Sequence, residues 1–289
     1  MMVPVQWKNV SASAHFSLCA GQATRYNHVS RETEGTMPRI VAVANQKGGV
    51  GKTTTALNVS AALALAGKRC LLVDLDPQGN ATTGLGMEKK RREGAYLLLA
   101  DHSKAAAAIV PSGVRNLDVV PSSPNLGEAE AQLASQPNRH LRLKLAKPQF
   151  EKAYDFVFID CPPGTGFFPA NALACAESVL IPIQCEYFAM EGLTQILSNI
   201  SAMRNGSNPQ LEVESILLTM YEPSAFAREV VTEVRSHFSD LVCDTVIPRD
   251  ITLAEAPSHG QSIIDYAPRS RGARAYLELA KEILNDHQG

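Results

Sequence analysis

QKGGVGKTT, residues 46–54, sets a lysine at either end of a glycine-rich run. Ahead of it, IVAVAN (40–45) is a short apolar run of the kind a buried parallel strand makes. Behind it, TTALNVSAALALAG (54–67) is rich in Ala and Leu and closes on Gly67. The order is strand, glycine loop, helix. In such a turn the backbone N–H groups of Gly48, Gly49, Val50, Gly51 and Lys52 point inward together. The helix N-terminus adds the positive end of its dipole, which suits an anionic phosphate chain. Lys52 is then expected to reach the terminal phosphates of a nucleotide and the Thr53 hydroxyl to bind Mg2+, with Thr54 counted among the phosphate-binding residues. The usual G-x-x-x-x-G-K-[ST] pattern has a glycine where this chain has Gln46, so the loop is a variant with Lys47 added. One ammonium suffices for the terminal phosphates, and Lys47 needs a separate explanation.

The chain has 289 residues, is 45% hydrophobic and carries a formal net charge of −2. That supports a substantial core and excludes a global basic field, so any surface for nucleic acid must be local. No apolar run approaches the length of a membrane span and no signal peptide opens the chain, which points to a cytoplasmic protein without membrane attachment. Cys19, Cys70, Cys161, Cys175, Cys185 and Cys243 are scattered with no C-x-x-C pair. Reduced packing thiols fit that pattern better than disulfides, zinc or a cluster. Residues 1–36 lack sustained periodicity and read as an N-terminal extension, a disordered tail or an overlong gene start, ahead of one domain over 37–289.

From Met37 onward strand-like runs alternate with helix-like segments. Residues 69–74, 117–122, 154–160, 178–183 and 213–220 read as further strands, and 125–134, 139–150, 190–204, 227–238 and 272–284 as helices. Alternating βα units imply a doubly wound α/β fold: a mostly parallel sheet with helices on both faces and ligands at the carboxyl ends of the strands. Two strand ends carry acids there. Asp160 closes FVFID and fits an outer ligand of Mg2+ through water. Asp76, in VDLDPQGN, sits two residues further into its loop, where it can orient a water on the γ-phosphate; a turn role for the Asp-Pro pair is the alternative.

KGGVGKTTTALN (47–58), LLVDLDPQGNATTGLG (71–86), YDFVFIDCPPG (154–164), VLIPIQCEYFAMEGL (179–193) and VIPRDITLAEAPSHG (246–260), in this order, closely resemble the ParA/Soj partition ATPases. These belong to the MinD-like, deviant Walker A group of P-loop proteins, and the resemblance covers essentially all of 37–284. It implies a weak, partner-stimulated ATPase that uses ATP and Mg2+, pairs face to face as a homodimer in the ATP state and coats nucleoid DNA. A ParB-type DNA-binding partner then stimulates hydrolysis. It also implies a role for Lys47, which in this group reaches across the dimer to the partner's nucleotide, a cation supplied in trans. Lys47, Lys52 and Asp76 are thereby the expected catalytic set. The loop holding Pro248 and Asp250 flanks the adenine in relatives, which commonly carry Asn where this chain has Asp250. Relatives also often follow Met-Tyr with an acidic-x-Arg-Thr sequence, whereas Met220 and Tyr221 here precede Glu222, Pro223, Ser224 and Ala225, with Arg228 beyond.

Sequence-independent binding of double-stranded DNA is expected through Arg269, Arg271 and Arg274, with Lys281 further along the last helix. ATPases that position a protein cargo use the same core, which leaves chromosome, plasmid and protein cluster open as cargo, and three further rivals share the fold. A MinD-like membrane regulator needs a basic amphipathic C-terminal helix, which YLELAKEILNDHQG does not offer. An iron-sulfur carrier needs converging cysteines, and an ATP-dependent amide ligase needs a pocket for a small carboxylic acid.

Overall fold

RIVAV forms β1 (Arg39–Val43), buried from its second residue onward. Its side chains alternate between two cores: Ile40 and Ala42 enter one with Leu193 and Ile196, and Val41 and Val43 enter the other with Ala56, Leu63 and Tyr276. A strand buried on both faces must be apolar throughout, which is why IVAVAN shows no polar alternation. The computed structural model describes residues 38–90, 93–186 and 189–285; the expected extension over 1–36 lies outside that set.

The other strands are β2 (Cys70–Asp74), β3 (Val110–Pro111), β4 (Leu117–Val120), β5 (Phe156–Asp160), β6 (Ser178–Gln184), β7 (Glu212–Tyr221) and β8 (Val242–Pro248). They form one sheet in the order β3-β4-β2-β5-β1-β6-β7-β8, parallel except for β3 against β4. The helices are α1 (Lys52–Leu65), α2 (Asn80–Gly84), α3 (Ala95–Ala100), α4 (Leu126–Leu133), α5 (Arg142–Ala146) and α6 (Phe167–Cys175). They continue with α7 (Ala189–Arg204), α8 (Ala225–Phe238), α9 (Ile251–Glu255), α10 (Ile263–Tyr266) and α11 (Arg271–Asn285). Helices cover both faces, as the alternating pattern requires.

Two expectations need correction. The stretch 139–150 is not one helix: α5 is flanked by 3-10 turns at Arg139–Leu141 and Lys147–Gln149. Pro148 has no N–H to continue an α-helix there. Two strands, β3 and β8, lie outside the six that the sequence pattern predicts, β3 because it is only two residues long. The side chains of β8, an edge strand, are not buried throughout, and Asp244 and Thr245 interrupt the apolar run. Among the described residues no helix is long and apolar enough to cross a membrane.

Register brings the functional edge together. Asp160 lies opposite Val43 of β1 on one side and Asp74 of β2 on the other, so the loops leaving β1, β2 and β5 emerge side by side. That is the carboxyl edge, where open α/β sheets bind ligands.

Candidate functional site

Residues 44–51 join β1 to α1. Gly49 and Gly51 adopt φ of +75° and +86°, where a side chain would strain the backbone. The loop is bound on both flanks. Asn45 Nδ2 donates to the Pro182 carbonyl at 2.8 Å, Gln184 Nε2 donates to the Gly49 carbonyl at 3.0 Å, and Thr219 Oγ1 donates to the Val50 carbonyl at 2.9 Å. From the other side Gly164 N donates to the Gln46 carbonyl at 3.0 Å. A loop so tied presents its amides without reorganisation. Lys52 opens α1, and its buried ammonium donates to the Lys47 carbonyl at 2.8 Å. Burial lowers its pKa, and the charges of Asp160, Cys161 and Asp76 offset part of that.

Asp160 is fully buried, and neither carboxylate oxygen has a hydrogen-bond partner among the described residues. Burial pushes its carboxyl well above the usual range, Asp74 and Asp76 push it further, and the nearby Thr53 hydroxyl, which falls short of hydrogen-bond geometry, and the Lys52 charge act against them. An orphaned buried carboxylate beside Thr53 is what a hydrated divalent cation would satisfy, because bound water supplies donors and the charge favours ionisation. Among the described residues no group of three or more His, Cys, Asp or Glu is placed to hold a metal unaided. That suits Mg2+, which keeps waters and binds through one or two protein groups and phosphates.

Asp74 plays a different part. Its Oδ2 accepts from Thr82 N at 2.8 Å and from the Thr82 hydroxyl at 2.6 Å, and its Oδ1 accepts from Asp76 N at 3.2 Å. It thus sets the loop that carries Asp76. Asp76 is buried, accepts from Gln78 N at 2.9 Å through Oδ1, and takes the Ser122 hydroxyl on its carbonyl at 2.7 Å. The turn alternative is therefore part of the geometry.

Lys47 stands on the rim. Its Nζ lies 3.4 Å from Gln184 Oε1 and 3.5 Å from Glu186 Oε2, and its side chain is 38% exposed. Arg249 continues the row, 4.0 Å from Glu186 and 3.5 Å from Glu222. The two lysines of the motif thus occupy opposite environments, one buried in the cradle and one loosely held at its lip.

A family model described as an AAA domain matches residues 38–213. The chain is 49% identical over 249 residues to the sporulation initiation inhibitor protein Soj of Bacillus subtilis, spanning 86% of this chain and 98% of that one. The chain belongs to the ParA/Soj family of ATPases. The chromosome partitioning protein ParA of Myxococcus xanthus is 47% identical over 86% of this chain and 89% of its own. Among solved structures, cobyrinic acid a,c-diamide synthase from Mycobacterium smegmatis with bound ADP and magnesium superposes with a TM-score of 0.76. It shares 36% identity and covers 88% of this chain and 96% of that one.

In this ParA/Soj ATPase the loop beyond β8 is tied to its own neighbours. Pro248 ends the strand, but Asp250 commits its carboxylate inward. Oδ1 accepts from Thr252 N at 3.1 Å and from the Thr252 hydroxyl at 2.8 Å, and Oδ2 accepts from Gly272 N at 2.9 Å. Burial pushes its pKa up, but the Gly272 and Thr252 bonds and the Arg271 charge prevail and hold it below the usual carboxylate range. Of about four lone-pair sites, three are used. Arg269, Arg271 and Arg274 are exposed, and the latter two rest on carbonyl oxygens: Arg271 on Arg249 O at 3.2 Å, Arg274 on Arg269 O at 3.1 Å. Lys281 pairs with Glu278 at 2.7 Å and is neutralised locally.

Proposed function

We propose that this ATPase is a dimerising partition switch. The observation that carries the reading is the split pair of lysines: Lys52 buried in the cradle, Lys47 half exposed on the rim beside it. ATP is held by the amides of Gly48, Gly49, Val50, Gly51 and Lys52 together with Thr53 and Thr54, with Pro248 and Asp250 in the loop that flanks the base. Thr53 and, through water, Asp160 would hold Mg2+, which would neutralise charge on the phosphate oxygens. Asp76 orients the attacking water, and Lys47 reaches the nucleotide of a second copy, which makes assembly depend on the γ-phosphate. As a dimer the protein binds double-stranded DNA without sequence preference through Arg269, Arg271 and Arg274. A ParB-type partner stimulates turnover, so that chromosome or plasmid DNA is segregated on the nucleoid. The 43–49% identity to several Soj and ParA proteins supports this role.

The test is light scattering after size exclusion, with cosedimentation on random-sequence DNA, in ATP and in ADP. Dimers and DNA binding with ATP alone are expected; a protein that stays monomeric with ATP and Mg2+ overturns the reading. The likeness to the diamide synthase favours one second reading, an amide ligase on the same cradle. Amidation of cobyrinic acid by the purified protein would decide for it.

A further inference from the structure

The first turn of α11 is electrostatically unfavourable as built. Arg271 and Arg274 stand where the helix dipole disfavours cations, and the turn contains no acidic residue. Its compensating charge comes from elsewhere in the chain. Asp250, at the N-cap of α9, reaches over to accept from Gly272 N at 2.9 Å while its other oxygen caps α9 through Thr252. Arg271 Nη2 in turn donates to the carbonyl of Arg249, the residue before Asp250. The two helices touch there: a Cβ on Gly272 would lie 2.7 Å from Leu253 Cγ, so only glycine fits. One turn further along α11, the buried Tyr276 hydroxyl shares a hydrogen bond with Thr55 Oγ1 at 3.2 Å, in the helix that Lys52 and Thr53 open. Both grips on the start of α11 therefore come from elements of the nucleotide site.

Resting on the functional reading above, we infer that Asp250 is a positioning residue. It clamps the base-flanking loop to the first turn of α11, so that the placement of Arg271 and Arg274, and with it affinity for the DNA backbone, follows nucleotide occupancy. The acid is specific to this task. Three donors converge on it, and a carboxylate offers acceptors only, whereas an asparagine would turn its amide N–H groups toward either Gly272 N or Thr252 N. Ordering the loop on a bound base tightens both bonds of Asp250, and two arginines that share one rigid turn then meet two phosphates together.

Hydrogen exchange on the full chain, at saturating non-hydrolysed ATP analogue with Mg2+, tests the clamp without relying on affinity for the nucleotide. Wild type should gain protection at the amides of residues 271–275 on binding the analogue. Asp250→Ala should lose that gain, and Asp250→Asn, which keeps only one of the two links, should lose most of it. Affinity for random-sequence DNA should fall roughly tenfold or more in Asp250→Ala, the scale of one lost hydrogen bond to a charged group. Wild-type protection persisting in both variants overturns the proposal, as does the absence of any analogue-induced protection in wild type. Protection as expected with no DNA binding by wild type supports the clamp and overturns the DNA reading instead.

Discussion

Lys47→Ala should separate assembly from nucleotide binding. In its own subunit Lys47 makes two long contacts, 3.4 Å to Gln184 and 3.5 Å to Glu186, with both charged side chains substantially exposed. Such a surface pair is worth about 0–1 kcal/mol, so folding stability should barely change. Across a two-fold dimer the same residue counts twice. If each Lys47 makes a charge-assisted hydrogen bond to the partner's nucleotide worth about 1.5–3 kcal/mol, losing both weakens the dimer by roughly two to four powers of ten. Lys52→Ala differs, because the buried ammonium 2.8 Å from the Lys47 carbonyl belongs to the cradle itself, and ATP binding should fail. Sedimentation equilibrium with ATP, beside nucleotide titration of each variant, reads both effects. A Lys47→Ala dimer constant within a few-fold of wild type, with ATP bound, would refute the cross-subunit argument.

Asp76→Ala should slow hydrolysis by roughly a hundredfold or more while leaving ATP bound, so that dimers accumulate; turnover equal to wild type in a phosphate-release assay would leave Asp76 as a turn residue only. For Asp160 and Asp74, burial raises both carboxyls. An acid raised on folding stabilises below its unfolded pKa near 4 and loses that contribution as pH rises through the folded value. The nucleotide- and magnesium-free protein should therefore lose stability between about pH 4 and the raised pKa values, and Asp160→Asn should flatten that slope and raise Tm at pH 7.5. A thermal profile identical to wild type would contradict the burial argument. Arg271→Ala/Arg274→Ala should lose DNA binding and retain ATP-dependent dimers, with wild-type affinity falling steeply with salt; wild-type affinity in the double variant moves the surface elsewhere.

Strands buried on both faces were legible because nothing polar interrupts them: CLLVD and FVFID declare themselves locally. The edge strand VCDTVIP did not, since its half-exposed face admits Asp244. Helices of four to six residues, such as α2, α9 and α10, are too short to show a 3.6-residue period. The site divides the same way. Lys52, Thr53, Asp76 and Asp160 follow directly from their own strand ends. Gln184, Glu186 and Thr219 touch the phosphate loop only because β6 lies beside β1 and β7 beside β6. Strand order is a property of the whole chain, and no local pattern carries it. Asp250 was legible as a loop residue, but its partner Gly272 lies 22 residues on.

The charges at the carboxyl edge explain why metal and nucleotide belong together. Asp76 and Asp160 are buried within reach of the buried Lys52, and Asp74 is buried beside Asp160. Ionised together they leave an excess of negative charge in a low-dielectric pocket, which is costly unless paired. Protonation relieves it, and the raised carboxyls of Asp74 and Asp160 are that response. A divalent cation relieves it too, with the added advantage that the two orphaned oxygens of Asp160 gain partners. The cation would then need further oxygen ligands, and nucleotide phosphates held in the glycine loop would be the available source. On the rim of the same loop Lys47 stands half exposed, restrained by a long ion pair to Glu186 and a long hydrogen bond to Gln184. A second copy presenting the same rim would bring another such lysine. On the proposed reading, the extra lysine of the motif answers to a nucleotide outside the subunit, and the buried acids to a cation bound within it.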